Sequence, residues 1–135
     1  MDRAERADQL HRRGYNCCQA VACVFAEEVG MDEATLYRVA EGFGAGMGTA
    51  KGVCGAVSGA AIISGLVNSD GNIDAPGQTK AKSTKAAGTI QRKFTEQAKA
   101  LICKDIKTGN NGTMFTSCAD CIKIAVRLTE EVLGL

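Results

Sequence analysis

The residues of this chain that could carry chemistry are seven cysteines among 135 residues, at positions 17, 18, 23, 54, 103, 118 and 121. Thiolates serve two kinds of reaction, exchange with disulfides and coordination of soft metals. An odd number leaves at least one thiol outside any scheme of internal pairs. The single histidine, His11, sits in a charged stretch, so neither a Ser/His/Asp nor a Cys/His nucleophile is available. The carboxylate pairs Glu27/Glu28, Asp32/Glu33 and Glu130/Glu131 fall at the ends of predicted helices, where charge and capping account for them. Hydrolytic chemistry is therefore not expected. Cys118-Ala-Asp-Cys121 is a C-x-x-C without a strand before it, which argues against a thioredoxin-type site. With no second C-x-x-C, a finger or ribbon zinc site is disfavoured too. A four-ligand site has to gather Cys17, Cys54, Cys103 and either Cys118 or Cys121 from distant parts of the chain.

The elements that must bring them together read as helices. Residues 2–13 form a charged helix stopped by Gly14. Asn16 caps a second, sparsely charged helix over 17–29, ended by Gly30, and Asp32 caps a third that runs to Glu41. A glycine-rich loop, GFGAGMGTAKGVCG, spans 42–55 and leads into an uncharged helix over 53–67. On that helix Cys54, Ser58, Ala61 and Gly65 form a stripe of small side chains that a backbone or a compact inorganic group could approach. A turn-rich loop over 68–78 precedes a long helix over 79–107, with Ala87, Ile90, Phe94, Ala98 and Leu101 on one face. On a regular helix of that length Cys103 points away from this face, toward Arg92 and Lys99. Glycines at 109 and 112 break it, and a last helix covers 117–133. No stretch alternates like a strand. The expectation is an all-α bundle of about five to six helices, one domain over 1–135, around a buried Gly/Ala-rich central helix.

Three of these helices begin at a cysteine: Cys17, Cys54 and Cys118. Free N–H groups and the positive end of the dipole at a helix N-terminus lower a thiol's pKa. Random placement would not often do this three times.

Composition narrows the rest. Hydrophobic residues at 45% and charged ones at 23% are globular values, and a net charge of +1 gives no pull toward nucleic acid or anionic membranes. Aromatics at 4% leave little with which to stack bases. The eight basic and two acidic residues of 80–107 read first as a solvated face. The glycine loop matches no phosphate-binding spacing and follows no strand. No apolar signal core opens the chain, and the longest uncharged run, 52–69, is short for a membrane span. A cytoplasmic location is expected. In that reducing compartment cysteines serve as ligands or redox thiols rather than static staples.

Cys54-Gly55-Ala56-Val57-Ser58-Gly59 follows GFGAGMG and, further upstream, Asn16-Cys-Cys-Gln-Ala-Val21; Cys103 and Cys118 come downstream. This pattern resembles the small C_GCAxxG_C_C family, a group named for redox activity, over residues 14–133. The resemblance implies four defining cysteines, matched here by Cys17, Cys54, Cys103 and Cys118, with Cys18, Cys23 and Cys121 as extras. Cys121 remains a substitute for the fourth. Gly52, Gly55 and Ser58, beside Cys54, are the candidates for cofactor contacts.

Two mechanisms fit such a set. The thiols form one or two dithiol/disulfide couples, or four thiolates hold an iron–sulfur cluster, most simply [2Fe–2S], for single electrons. Either makes the chain an oxidoreductase or an electron carrier, acting with a redox partner protein; a homodimer is a candidate assembly. Structural zinc, or an interaction protein with merely buried thiols, is the alternative.

Overall fold

The computed structural model describes residues Met1–Leu135. Nine helical segments follow one another: α1 (Arg3–Arg12), α2 (Cys17–Cys23), α3 (Ala26–Val29), α4 (Glu33–Glu41), α5 (Gly44–Met47), α6 (Gly55–Asn68), α7 (Lys80–Ala98), α8 (Cys103–Thr108) and α9 (Cys118–Leu133). Segment α5 is a single distorted turn with left-handed residues inside it, so eight are helices proper. Backbone pairing of the β type is confined to two isolated bridges, Val53 with Ile102 and Asn110 with Thr113. No helix is long and apolar enough to cross a membrane. The all-α class holds, but the count exceeds the expected five to six because two predicted helices break.

The first break divides the predicted helix over 17–29. The chain turns at Val24–Phe25, which sends the Phe25 ring fully into the core under the Arg3 guanidinium. The second ends the predicted long helix at Ala98. Lys99 adopts a left-handed conformation (φ 76°), and the chain then runs alongside the end of the glycine-rich loop. Three backbone hydrogen bonds fasten that pairing: Cys54 N–H to Leu101 O (2.9 Å), Cys103 N–H to Gly52 O (3.0 Å) and Lys104 N–H to Ala50 O (2.8 Å). Lys99, Ala100, Leu101 and Ile102 have ordinary helix propensity; the loop's otherwise unsatisfied backbone groups outweigh it. Cys103 therefore begins its own helix rather than facing away on the flank of α7.

Helix α6 lies at the centre, packed on α2, α7 and α9, and α9 also packs on α1 and α7. Its buried face is Gly55, Ala56, Gly59, Ala60, Ile63 and Ser64. This corrects the expected stripe. Ala61 is exposed and Ser58 and Gly65 are half-buried, so the close approach is made one face over, at Gly59. A Cβ built on Gly59 would stand 2.8 Å from the Cys18 carbonyl oxygen and 2.9 Å from Val21 Cβ. Only glycine lets the backbones of α2 and α6 come this near.

Candidate functional site: a cavity lined by five thiols

Two of the site's segments begin with capping side chains that hold their cysteines in place. At α2, Asn16 Oδ1 accepts from Gln19 N–H and Gln19 Oε1 accepts from Asn16 N–H, both at 2.9 Å, a reciprocal capping box. The same two side chains reach across to α4, Asn16 Nδ2 donating to Glu41 O and Gln19 Nε2 to Tyr37 O. Cys17, the first residue of α2, is thereby fixed at both ends of the cap. At α9, Ser117 Oγ accepts from Asp120 N–H (3.1 Å), which places Cys118 at the first helical position and Cys121 one turn on. At α6 Cys54 is itself the cap residue. Its sulfur makes no strict capping bond, yet the amides of Ala56 and Val57 lie near enough to stabilise its thiolate.

These ends meet at a cavity of about 170 Å³ lined by Cys17, Cys54, Cys103, Cys118 and Cys121. The remaining wall is Ala45, Gly46, Gly55, Ile106, Met114, Thr116 and a single charged residue, Lys107. Of the other positions named from sequence, Gly52 lies behind the wall and holds Cys103 through its carbonyl, while Ser58 is outside the lining. Gly46 has a backbone reason to be glycine. Its φ is +59°, and a Cβ there would sit 2.5 Å from Cys103 Cβ. Its neighbours Ala45 (φ 55°) and Met47 (φ 62°) share the left-handed region at some cost in strain.

Four of the thiols form two pairs. Cys118 is held as thiolate, its pKa lowered to about 6, chiefly by a hydrogen bond from the Cys17 thiol; Lys107 and His11 nearby add to the effect against the opposing burial. Cys17 keeps its proton far more tightly than a free thiol, because it donates to Cys118 and because it is buried. The second pair lies deeper. Cys54 is lowered, first by a hydrogen bond from Cys121 and then by the α6 amides, and Cys121 is correspondingly raised. Cys103 belongs to neither pair. Burial raises its pKa, Lys107 opposes this, and the charges on Cys54 and Cys118 add to the rise. Cys18 and Cys23 face the core and are pushed up by burial to about 12 and about 11. They are packing residues.

The low pKa of Cys118 has a measurable consequence. Its alkylation rate by iodoacetamide is expected to rise with pH to a plateau with a midpoint near 6, against about 9 for an ordinary thiol. At pH 7 the thiolate fraction is higher by about ninetyfold, but lower basicity weakens the nucleophile by about twentyfold. The net gain is thus only about fivefold, and the midpoint rather than the rate at pH 7 is the test. A midpoint near 9 for Cys118 would contradict the pairing with Cys17.

The cysteine arrangement and its glycines coincide with a known pattern: residues 15–132 match the family model described as "Putative redox-active protein (C_GCAxxG_C_C)". The chain belongs to the C_GCAxxG_C_C family. Comparison with the curated proteins and with the solved structures finds no match. Within this C_GCAxxG_C_C chain, sequence reasoning missed three features of the site. Gln19 was legible as the far end of an N-x-x-Q capping box. Lys107 had the signal of standing one turn after Cys103. Nothing in the sequence marks Cys121 as the mate of Cys54.

Proposed function

We propose that the chain is a thiol–disulfide redox protein working through two couples, Cys17–Cys118 toward the mouth of the cavity and Cys54–Cys121 beneath it. The observation that carries this reading is the meeting of these four thiols in one cavity, where in each couple one sulfur is favoured as thiolate and the other keeps its proton. That is the resting state a dithiol reductant needs. The Cys118 thiolate attacks a disulfide sulfur, forming a mixed disulfide and expelling one thiolate. Cys17 then passes its proton to the departing sulfur and attacks Cys118 Sγ, which closes the Cys17–Cys118 bond and releases the second thiolate. Two electrons leave the couple, and the deeper pair restores them by the same exchange. The reading goes with a cytoplasmic setting and a redox partner protein that re-reduces the chain.

A second reading has its own support. Five thiols and no carboxylate or imidazole line one cavity, a donor set suited to a soft metal or an iron–sulfur cluster. Cys17, Cys54, Cys103 and either Cys118 or Cys121 would hold a [2Fe–2S] group, and it would supply one-electron transfer. As placed, however, no three His, Cys, Asp or Glu side chains converge as metal ligands, so the thiols would have to rotate.

One preparation separates the readings. Protein purified without oxygen is expected to be colourless and free of iron, zinc and acid-labile sulfide. Titration with a mild oxidant should consume four of its seven thiols in two steps. Visible absorption with matching iron and sulfide would replace the dithiol reading by the cluster, and a full count of thiols after oxidation would remove it.

A further inference from the structure

This site has a cavity, and its wall is nearly all carbon and sulfur. Its two polar side chains are already committed. Thr116 Oγ1 donates to Ala98 O at 2.9 Å, and the exposed Lys107 ammonium is the counter-charge to the Cys118 thiolate. No further polar side chain lines the cavity, and Met114, 53% exposed, adds an apolar edge at the mouth. A carboxylate entering past Lys107 would lose most of its hydration against carbon and sulfur, which disfavours it. An uncharged molecule loses little and gains from burying its apolar surface.

We propose that the substrate of the Cys17–Cys118 couple is a compact, uncharged disulfide of the aliphatic or dithiolane type, which enters this cavity and is reduced there to two thiols. The inference rests on the dithiol reading above and adds the class of molecule to it. The cavity limits that class in size: Gly46 lies against Cys103 and Gly55 against Cys17, and the space of about 170 Å³ holds only a small molecule. The step balances: one disulfide, the Cys17 thiol, the Cys118 thiolate and one proton from water give two small thiols and the Cys17–Cys118 disulfide, with two electrons and the Cys17 proton passing from the couple to the substrate.

The test compares two disulfides on the reduced full-length chain without oxygen at pH 7. Bis(2-hydroxyethyl) disulfide is small and neutral; glutathione disulfide is larger and carries carboxylates. Loss of protein thiols is followed in time, and each rate is divided by the rate of the same disulfide with dithiothreitol, which cancels intrinsic reactivity. The neutral probe is expected to be favoured by about tenfold or more. Lys107→Gln should slow both probes alike, because Lys107 acts on the thiolate and not on the substrate. Equal normalised rates, a preference for glutathione disulfide, or a Lys107→Gln effect confined to it would overturn the inference and leave the dithiol reading standing. If neither probe forms the Cys17–Cys118 bond, detected by peptide mapping, the dithiol reading falls and the inference with it.

Discussion

Cys17→Ala is expected to abolish turnover and Cys17→Ser to trap it halfway, because Cys17 has two separable tasks. The first is to donate a hydrogen bond to Cys118. Alanine cannot, so the Cys118 pKa should climb from about 6 toward the ordinary 9, with only Lys107 and His11 to restrain it. The thiolate fraction at pH 7 would then drop from about 90% to about 10% or less. Serine retains a hydroxyl donor, so Cys118 should keep much of its low midpoint and still attack a disulfide. The second task is resolution, which needs a sulfur. Neither variant can expel the second substrate thiol, and in the serine variant the mixed disulfide on Cys118 should accumulate to one per chain, visible by mass spectrometry. Both substitutions are small and at a half-buried position, so the fold should survive them. An alanine variant whose Cys118 still titrates near 6 would show that the α2 thiol is not what stabilises it.

The second large effect concerns packing. Gly59→Ala and Gly65→Ala make the same chemical change on the same helix, yet they are expected to act with opposite sign. Both gain about 1 kcal/mol of helix propensity. Around Gly65 there is open space, so Gly65→Ala should keep that gain. At Gly59 the new methyl meets the Cys18 carbonyl oxygen at 2.8 Å and Val21 Cβ at 2.9 Å. The carbonyl is backbone inside α2 and cannot yield without moving that helix. Overpacking of this kind costs about 1–3 kcal/mol, so the two variants should differ by that amount, or by roughly 5–10 °C in Tm. The displaced α2 carries Cys17, so Gly59→Ala should also raise the Cys118 midpoint, while Gly65→Ala leaves it unchanged. Equal Tm values for the two would mean that α2 and α6 do not depend on this contact.

Much of the architecture was legible because it is written in local signals. Asn16 and Asp32, read as caps, are the caps that the chain uses, and Gly30 ends α3 in the left-handed conformation expected of it. The apolar spacing of Ile90, Phe94 and Ala98 marks a face that is indeed buried. Where reading by period failed, a long-range contact had overridden propensity. Lys99 leaves the helix because the segment after it pairs with Gly52 and Cys54, some fifty residues away in sequence. The stripe through Ser58 and Ala61 fits helical spacing as well as the true packing face does. Only the position of α2 chooses between them.

The sequence by itself determined the class of residue at the site, the helix starts that present Cys17, Cys54 and Cys118, and the family, since each depends on residue type and short spacing. Tertiary structure alone decided which sulfur faces which. The turn at Lys99 carried Cys103 to the cavity wall. The pitch of α9 set Cys118 at the mouth and Cys121 one turn deeper, opposite Cys54. A hydrogen bond between thiols and the pKa it lowers depend on contact distances, and those are set by how closely α2, α6 and α9 pack, not by any interval along the chain.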